Sequence, residues 1–221
     1  MEAGTVSVPL GDDKPLGEQT MSDAFGSLIG DDSPSSDAPA QKLVLNVGCG
    51  FAGRGLHASF QGSEWRELRL DIDPSVSPDI ISSIVHMRPV EDSSVDAIWS
   101  SHNLEHLYRH EVPAALGEFM RVLRPGGELL VTLPDLQRVA ELVMNDRLED
   151  EAYVSPSGPI SALDMIYGHT ASLARGNEYM AHKSGFTSRT LMRLLMEAGF
   201  TAGTLEREGF SLWARAYKPG T

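Results

Sequence analysis

The chain has 221 residues, 41% of them hydrophobic, with 18 basic and 31 acidic side chains and a formal charge of −13. That length holds one well-buried α/β domain but not two large ones, and the charge disfavours a broad electrostatic grip on nucleic acid. Cys49 is the only cysteine, which excludes an intrachain disulfide and a cysteine-based zinc site, and no apolar run reaches membrane-span length, so a soluble cytoplasmic protein is expected.

Residues 1–40 carry eight acids (Glu2, Asp12, Asp13, Glu18, Asp23, Asp31, Asp32 and Asp37) against Lys14, so this segment holds −7 of the charge and the rest −6. Its few hydrophobes, Phe25, Leu28 and Ile29, cannot offset the entropy of ordering so much chain, and a disordered acidic tail is expected. A short docking helix or lid over 21–29 is the alternative. Residues 41–221 then form the folded domain.

From Lys42 apolar runs alternate with helical patterns, which predicts a parallel sheet covered by helices. Strands are expected at 43–47, 67–71, 79–84, 95–100 and 128–133. A helix is expected after the glycine turn, from Gly53 to about Phe60. Another spans 111–123, with Leu116, Phe119, Met120 and Leu123 on one apolar face, and Arg124-Pro125-Gly126-Gly127 stops it. Arg121 and Arg124 read as solvent-facing or as caps of that helix's carboxyl end. Asp135 reads as the N-cap of a helix through Val139, Leu142 and Val143. Residues 149–186 break the rhythm with Pro156, Gly158, Pro159, Gly168, Gly176 and Gly185, and read as an insertion over the ligand edge of the sheet. A helix at 187–198 and an antiparallel strand pair at 201–207 and 210–217 close the chain.

The run Leu43-Val44-Leu45-Asn46-Val47-Gly48-Cys49-Gly50-Phe51-Ala52-Gly53, followed by Leu70-Asp71-Ile72-Asp73, reads as a nucleotide cradle. An apolar strand ends in a glycine turn that lets backbone approach a ligand, and a second strand delivers a carboxylate to ribose hydroxyls. Asp71 lies about 20 residues beyond Gly48-x-Gly50-x-x-Gly53, as a ribose-binding acid should. That spacing alone also permits NAD. Asp73 is either a second carboxylate on the same strand face or a cap before Pro74. Cys49 reads as a small packing residue, since nothing basic adjoins it in sequence.

Four segments, 43–53, 70–74, Val95-Asp96-Ala97-Ile98-Trp99, and Glu118-Phe119-Met120-Arg121-Val122-Leu123-Arg124-Pro125-Gly126-Gly127 with the strand after it, resemble the class I S-adenosylmethionine-dependent methyltransferases, type 11-like domains included. The resemblance covers residues 42–135 and implies a Rossmann-like, doubly wound seven-stranded sheet, mostly parallel with a reversed last strand. It implies S-adenosyl-L-methionine as cofactor. By carry-over, Gly48, Cys49 and Gly50 face its methionine and ribose portion, Asp71 binds the ribose, Ile72 packs on adenine, His86 and Met87 border adenine, and Ser101 and His102 border the sulfonium. Asn46 stands where the family often has an acid for the cofactor's amino group; an amide still accepts a hydrogen bond but adds no countercharge.

Ser100-Ser101-His102-Asn103-Leu104-Glu105-His106 follows a strand at the carboxyl edge of the sheet, where open α/β folds bind ligands. An acceptor that must lose a proton benefits from a base titrating near neutrality, and histidine supplies one. His106, His169 and His182 are the candidate catalytic residues; His106 reads equally well as a loop anchor, and His110 as solvent-facing. No metal site is expected. Glu105 precedes the second histidine instead of following the first, unlike His-Glu-x-x-His, and no third ligand lies nearby in sequence. Asn103, Arg175, Tyr179 and Lys183 are candidate acceptor contacts. The expected activity is methyl transfer to oxygen or nitrogen of a small polar metabolite, with a noncatalytic S-adenosylmethionine-binding module or an RNA methyltransferase as alternatives.

Overall fold

The computed structural model describes residues 40–53 and 55–220. The leader expected over 1–40 lies outside them, apart from exposed Ala40. Seven strands form one sheet in the order β3-β2-β1-β4-β5-β9-β8: β1 (Lys42–Val47), β2 (Trp65–Asp71), β3 (Ile80–Ile81), β4 (Val95–Ser101), β5 (Leu123–Pro134), β8 (Thr201–Glu208) and β9 (Ser211–Tyr217). The first five are mutually parallel, and β9 runs antiparallel to both β5 and β8. The sheet is therefore the mostly parallel, Rossmann-like one expected, with its last strand reversed. The order changes direction at β1 and β4, and a crevice at such a switch point is where ligands bind.

Alternation along the strands sets the two faces. Leu43, Leu45 and Val47 of β1 and Leu129, Val131 and Leu133 of β5 enter the main core with Leu116, Phe119 and Val122 of α1 (Val112–Val122) and Leu191, Leu194 and Leu195 of α5 (Ser188–Glu197). Val44, Ala97, Trp99 and Leu130 point the other way, onto Phe60 and the partly buried Leu56, Trp65 and Trp213. Burying the first face on two amphipathic helices supplies most of the hydrophobic stabilisation, at roughly 25 cal/mol per Å² of apolar area removed from water.

Several elements depart from the sequence reading. The helix expected from Gly53 to Phe60 is only a single 3-10 turn, Ala58–Phe60, because Gly53 and Gly55 adopt φ of +91° and +71°, outside the helical region. His57 starts that turn instead, its Nδ1 accepting from the Ser59 amide at 3.2 Å. The strand expected over 79–84 shrinks to Ile80–Ile81: the Ser82 amide makes the last ladder bond, to the Asp71 carbonyl, and Ser82 Oγ then donates to the His86 carbonyl as the chain turns. Arg124-Pro125-Gly126-Gly127 lies inside β5, in an irregular stretch where pairing with β4 slips between Val95 and Ala97. Arg121 sits in the last turn of α1 and is 29% exposed, but it does not cap the helix's own carbonyls. It donates to Glu118 and Asp92 and to the carbonyls of Met87 and Val90, tying α1 to the loop before β4.

The insertion holds a hairpin, β6 (Glu151–Ser155) and β7 (Gly158–Ser161), then α3 (Ala162–Tyr167), α4 (Thr170–Ala174) and a 3-10 turn at Glu178–Met180. Asp135 caps α2 (Leu136–Met144) through the Gln137 amide, and Val139 and Leu142 of that helix pack on Ile160, Ala162 and Met165. A third apolar cluster therefore fixes the insertion to the body. At its end, the Leu136 amide donates to the Phe186 carbonyl and Phe186 enters the main core.

Candidate active site

The cradle forms where β1 gives way to Gly48 and Gly50, both at φ +61°. That left-handed backbone suits glycine, and at Gly48 there is a second constraint: a Cβ would lie 2.7 Å from Asn103 Cγ. The Asn103 carboxamide thus rests on the floor of the loop. Asp71, at the end of β2 and 9% exposed, closes the other side. One of its oxygens accepts from the Gly50 amide at 2.9 Å and the other from the Asp73 amide at 3.0 Å. Each oxygen keeps a further lone pair for an incoming hydroxyl. Arg69 donates to the Gly50 carbonyl at 2.6 Å, and the Cys49 amide to the Leu70 carbonyl, so the loop is tied down from β2 on both sides.

Asn46 is buried, and its Nδ2 donates to Glu67 Oε1 at 2.7 Å. The carboxylate missing at position 46 in the sequence is thus present on the adjacent strand, at a residue that sequence reasoning passed over; only the β1–β2 register reveals it. Cys49 is buried, and desolvation pushes its thiol up to about 11, so it stays protonated near neutrality. Asp73 caps the 3-10 turn Pro74–Val76 by accepting from the Ser75 amide. Ile72 is 47% exposed just beyond Asp71. His86 is exposed, whereas Met87 is fully buried in the main core, with its amide donating to Glu118 at 2.6 Å. Met87 is packed as a core side chain, so it is not available as an apolar cover for a ligand.

The opposite wall begins where β4 ends. Ser101 is half-buried and His102 takes φ +48°, its amide donating to the Thr132 carbonyl at 2.8 Å. A 3-10 turn, Leu104–His106, follows and buries Glu105 to 1% exposure. Neither Glu105 oxygen has a well-formed hydrogen bond; the nearest partner is His102 Nδ1, 3.3 Å from Oε1. Asn103 Nδ2 is likewise buried without a partner.

The insertion returns to this turn. Lys183 and Ser184 donate their amides to the Glu105 carbonyl at 2.8 and 3.1 Å. His106 Nδ1 meets the Ala181 carbonyl at 3.1 Å, His182 Nδ1 meets the Met165 carbonyl at 2.9 Å, and the two rings stand edge to face with centroids 4.8 Å apart. A carbonyl only accepts, so each Nδ1 carries a proton, and the neutral form of either imidazole has its lone pair on Nε2. Burial disfavours the Glu105 carboxylate, but the His102 contact and the nearby His102, His106 and His182 rings outweigh it and hold its carboxyl below the ordinary range. Burial pushes His182 down, against the opposing pull of Glu105. An ionised acid therefore faces a neutral imidazole near pH 7.

Of the three histidines singled out from the sequence, the fold brings His106 and His182 together. His169 stands at the start of α4 with its Nδ1 on Ser172 Oγ at 2.8 Å, turned to its own helix. Arg175 shares that hydroxyl and is exposed, Tyr179 is 52% exposed, and Lys183 lies over the Tyr108 ring. In the sequence Glu105 reads only as unsuitably spaced from His102; its approach to His182, with donor atoms within 4.8 Å, joins two distant segments and has no local signature.

Residues 45–131 match the family model described as a methyltransferase domain. A 37.1 kDa protein in transposon TN4556 of Streptomyces fradiae is 27% identical over 184 residues, 76% of this chain and 46% of that protein, so the chain spans about half the length of its curated relative. Among solved structures, a SAM-dependent methyltransferase of Methanosarcina mazei has a TM-score of 0.56 at 16% identity, covering 83% of this chain and 95% of that one. The 1,6-didemethyltoxoflavin-N1-methyltransferase of Burkholderia thailandensis, solved with 1,6-didemethyltoxoflavin and S-adenosylhomocysteine, has a TM-score of 0.50 at 16% identity, covering 81% and 72%. Among the described residues, no helix is long and apolar enough to cross a membrane.

Proposed function

We propose that this chain, which carries a class I S-adenosylmethionine-dependent methyltransferase domain, moves a methyl group from S-adenosylmethionine to an oxygen or nitrogen of a small polar metabolite. The observation that carries the reading is a juxtaposition: the Asn103 carboxamide rests on the Gly48 floor, and two residues later Glu105 and His106 meet His182. A cofactor cradle and a wall able to take a proton thus lie side by side. The 1,6-didemethyltoxoflavin-N1-methyltransferase, solved with 1,6-didemethyltoxoflavin bound, lends support to a small-molecule acceptor.

The cradle residues fit the cofactor. Asp71 retains lone pairs for ribose hydroxyls, the side-chain-free faces of Gly48 and Gly50 admit its methionine portion, and Ile72 offers an exposed apolar surface to adenine. Cys49 contributes backbone, while Asn46 acts with Glu67 behind the loop, and His86, Ser101 and His102 border the cofactor from the strand ends. Bound S-adenosylmethionine supplies a methyl carbon already activated by the sulfonium, so the chain's own groups have mainly to orient the acceptor and exclude water. His106 or His182 takes the acceptor's proton on Nε2, and buried Glu105 stabilises the imidazolium that results. Asn103 and, from the insertion, Tyr179 and Lys183 line the acceptor's approach, whereas Arg175 is held with His169 on the Ser172 hydroxyl. His169 stands back from this centre.

Calorimetry with S-adenosylmethionine and NAD tests the cofactor. S-adenosylmethionine should bind and NAD should not, and the reverse result sinks the reading. Screening polar metabolites for cofactor-dependent product then tests the reaction, with His182→Ala lowering kcat by about 100-fold or more and His169→Ala near wild type. A protein that binds the cofactor yet forms no product with any acceptor supports a binding module; product on RNA alone moves the acceptor class.

A further inference from the structure

We infer that Glu105, His106 and His182 form a binding site for one divalent transition-metal cation of the zinc class. Each residue offers one donor atom, and the three atoms lie within 4.8 Å of one another. Two features make this a site and not merely a cluster of titratable groups. Glu105 is 1% exposed, and neither of its oxygens has a well-formed hydrogen bond, although buried carboxylates are normally compensated by donors or a cation. Both imidazoles are oriented through Nδ1 by backbone carbonyls, Ala181 for His106 and Met165 for His182, leaving Nε2 as the coordinating atom. That outer contact, a carbonyl on the non-ligating nitrogen, is how metal-bound histidines are usually held.

The donor set decides the class of ion. Two imidazoles and one carboxylate suit zinc, cobalt, nickel or iron, whereas magnesium and calcium prefer shells of oxygen. With bonds of about 2.1 Å, tetrahedral donors stand about 3.4 Å apart, so modest side-chain rotation closes the triangle. His102, 43% exposed, holds its Nδ1 3.3 Å from Glu105 Oε1 and can swing outward as the cation takes its place. The ion would also join the turn after β4 to the returning end of the insertion, which already share the backbone bonds from Lys183 and Ser184 to Glu105.

Three protein ligands leave a coordination position open. The use of that position rests on the methyl-transfer reading: an acceptor oxygen or nitrogen bound there would lose its proton more readily, to solvent, and the two imidazoles would be ligands instead of bases. The site itself needs no such premise.

The test uses the full-length chain without an affinity tag, stripped with a chelator and titrated with Zn²⁺ alone. One ion per chain is expected, with a Kd of about 1 µM or tighter, and saturating zinc should raise Tm by about 5 °C or more. Co²⁺ in place of zinc should give visible ligand-field bands. Glu105→Gln and His182→Ala should each weaken zinc at least about 100-fold, while His169→Ala and His110→Ala leave it unchanged. If a variant fails to fold, X-ray absorption of the zinc-loaded wild type replaces it: two imidazoles with oxygen donors support the site. Wild type that keeps no zinc after desalting, or zinc binding indifferent to His182→Ala, overturns it. S-adenosylmethionine calorimetry on the stripped protein is read separately, so loss of the metal site and loss of the methyl-transfer reading are distinguishable.

Discussion

The two walls of the candidate site are built in opposite ways. On the β1–β2 side, Asp71 uses both oxygens on the Gly50 and Asp73 amides, Arg69 holds the Gly50 carbonyl, and Asn46 is paired with Glu67. Polar groups there are satisfied by near neighbours, and these contacts hold the loop without help from a ligand. On the β4 side, Glu105 and Asn103 bury polar atoms without good partners, and the wall closes only when residues 181–184 arrive from the insertion. Buried polar atoms without partners are costly, and they collect where a ligand completes the set. A saturated wall suits a constant cofactor; an unsaturated one suits a variable ligand or an ion.

The comparison breaks first at Gly48. In Gly48→Ala, the new Cβ meets Asn103 Cγ at 2.7 Å in a backbone with φ +61°, so both walls shift at once. The expected result is a loss of S-adenosylmethionine affinity of about 100-fold or more, with about 1–3 kcal/mol of stability. Calorimetry and urea unfolding read the two separately. Near-wild-type affinity would show that the floor of the loop does not contact the cofactor.

The contrast between the walls also explains how much was legible in the sequence. The glycine turn, the Asp71 carboxylate and the Asp135 cap depend on residues close in sequence or on a fixed strand-to-strand interval, and a pattern of spacing captures them. The same logic overreached at 53–60, where helical periodicity is present but Gly53 and Gly55 take positive φ and the chain loops instead. Met87 read as a ligand cover by position alone; the Glu118 and Arg121 contacts that pull it into the core span about thirty positions. The partnership of Glu105 and His106 with His182 lay further still from view. Each histidine was visible singly, but the carboxylate between them becomes notable only once burial strips it of partners.

Asp164 offers a way to loosen one wall and spare the other. It closes the capping box of α3 with Ser161 and also accepts from the Thr170 amide, while the next residue, Met165, supplies the carbonyl that orients His182. Burial opposes the ionised Asp164, but hydrogen bonds from Ser161 and Thr170 prevail and lower its pKa to about 2. Because the folded value lies below the unfolded one, the stabilisation is complete above about pH 4. It is lost as pH falls towards about 2. Asp164→Ala should cost about 1 kcal/mol at pH 7, and its stability should fall less steeply than wild type between pH 4 and pH 3 in urea titrations. S-adenosylmethionine affinity should not move, whereas KM for the acceptor should rise. A change in cofactor affinity would mean that the walls are not independent.

The smallest effect asks whether the scaffold behind the walls couples them. Gly117 sits within α1, where an added Cβ meets nothing within 4 Å and φ is not positive. Alanine there removes backbone freedom from the unfolded chain without a clash, so Gly117→Ala should stabilise by about 0.5–1 kcal/mol and raise Tm by about 2–3 °C. Its helix packs through Leu116 and Phe119 into the core beneath both walls. If cradle and acceptor wall are each set by their own contacts, neither S-adenosylmethionine nor zinc affinity should change. Should one affinity change alone, α1 would be the element through which that wall senses the core. A parallel change in both would instead show that the walls share a single mobile scaffold and that the saturation difference between them is not what separates their roles.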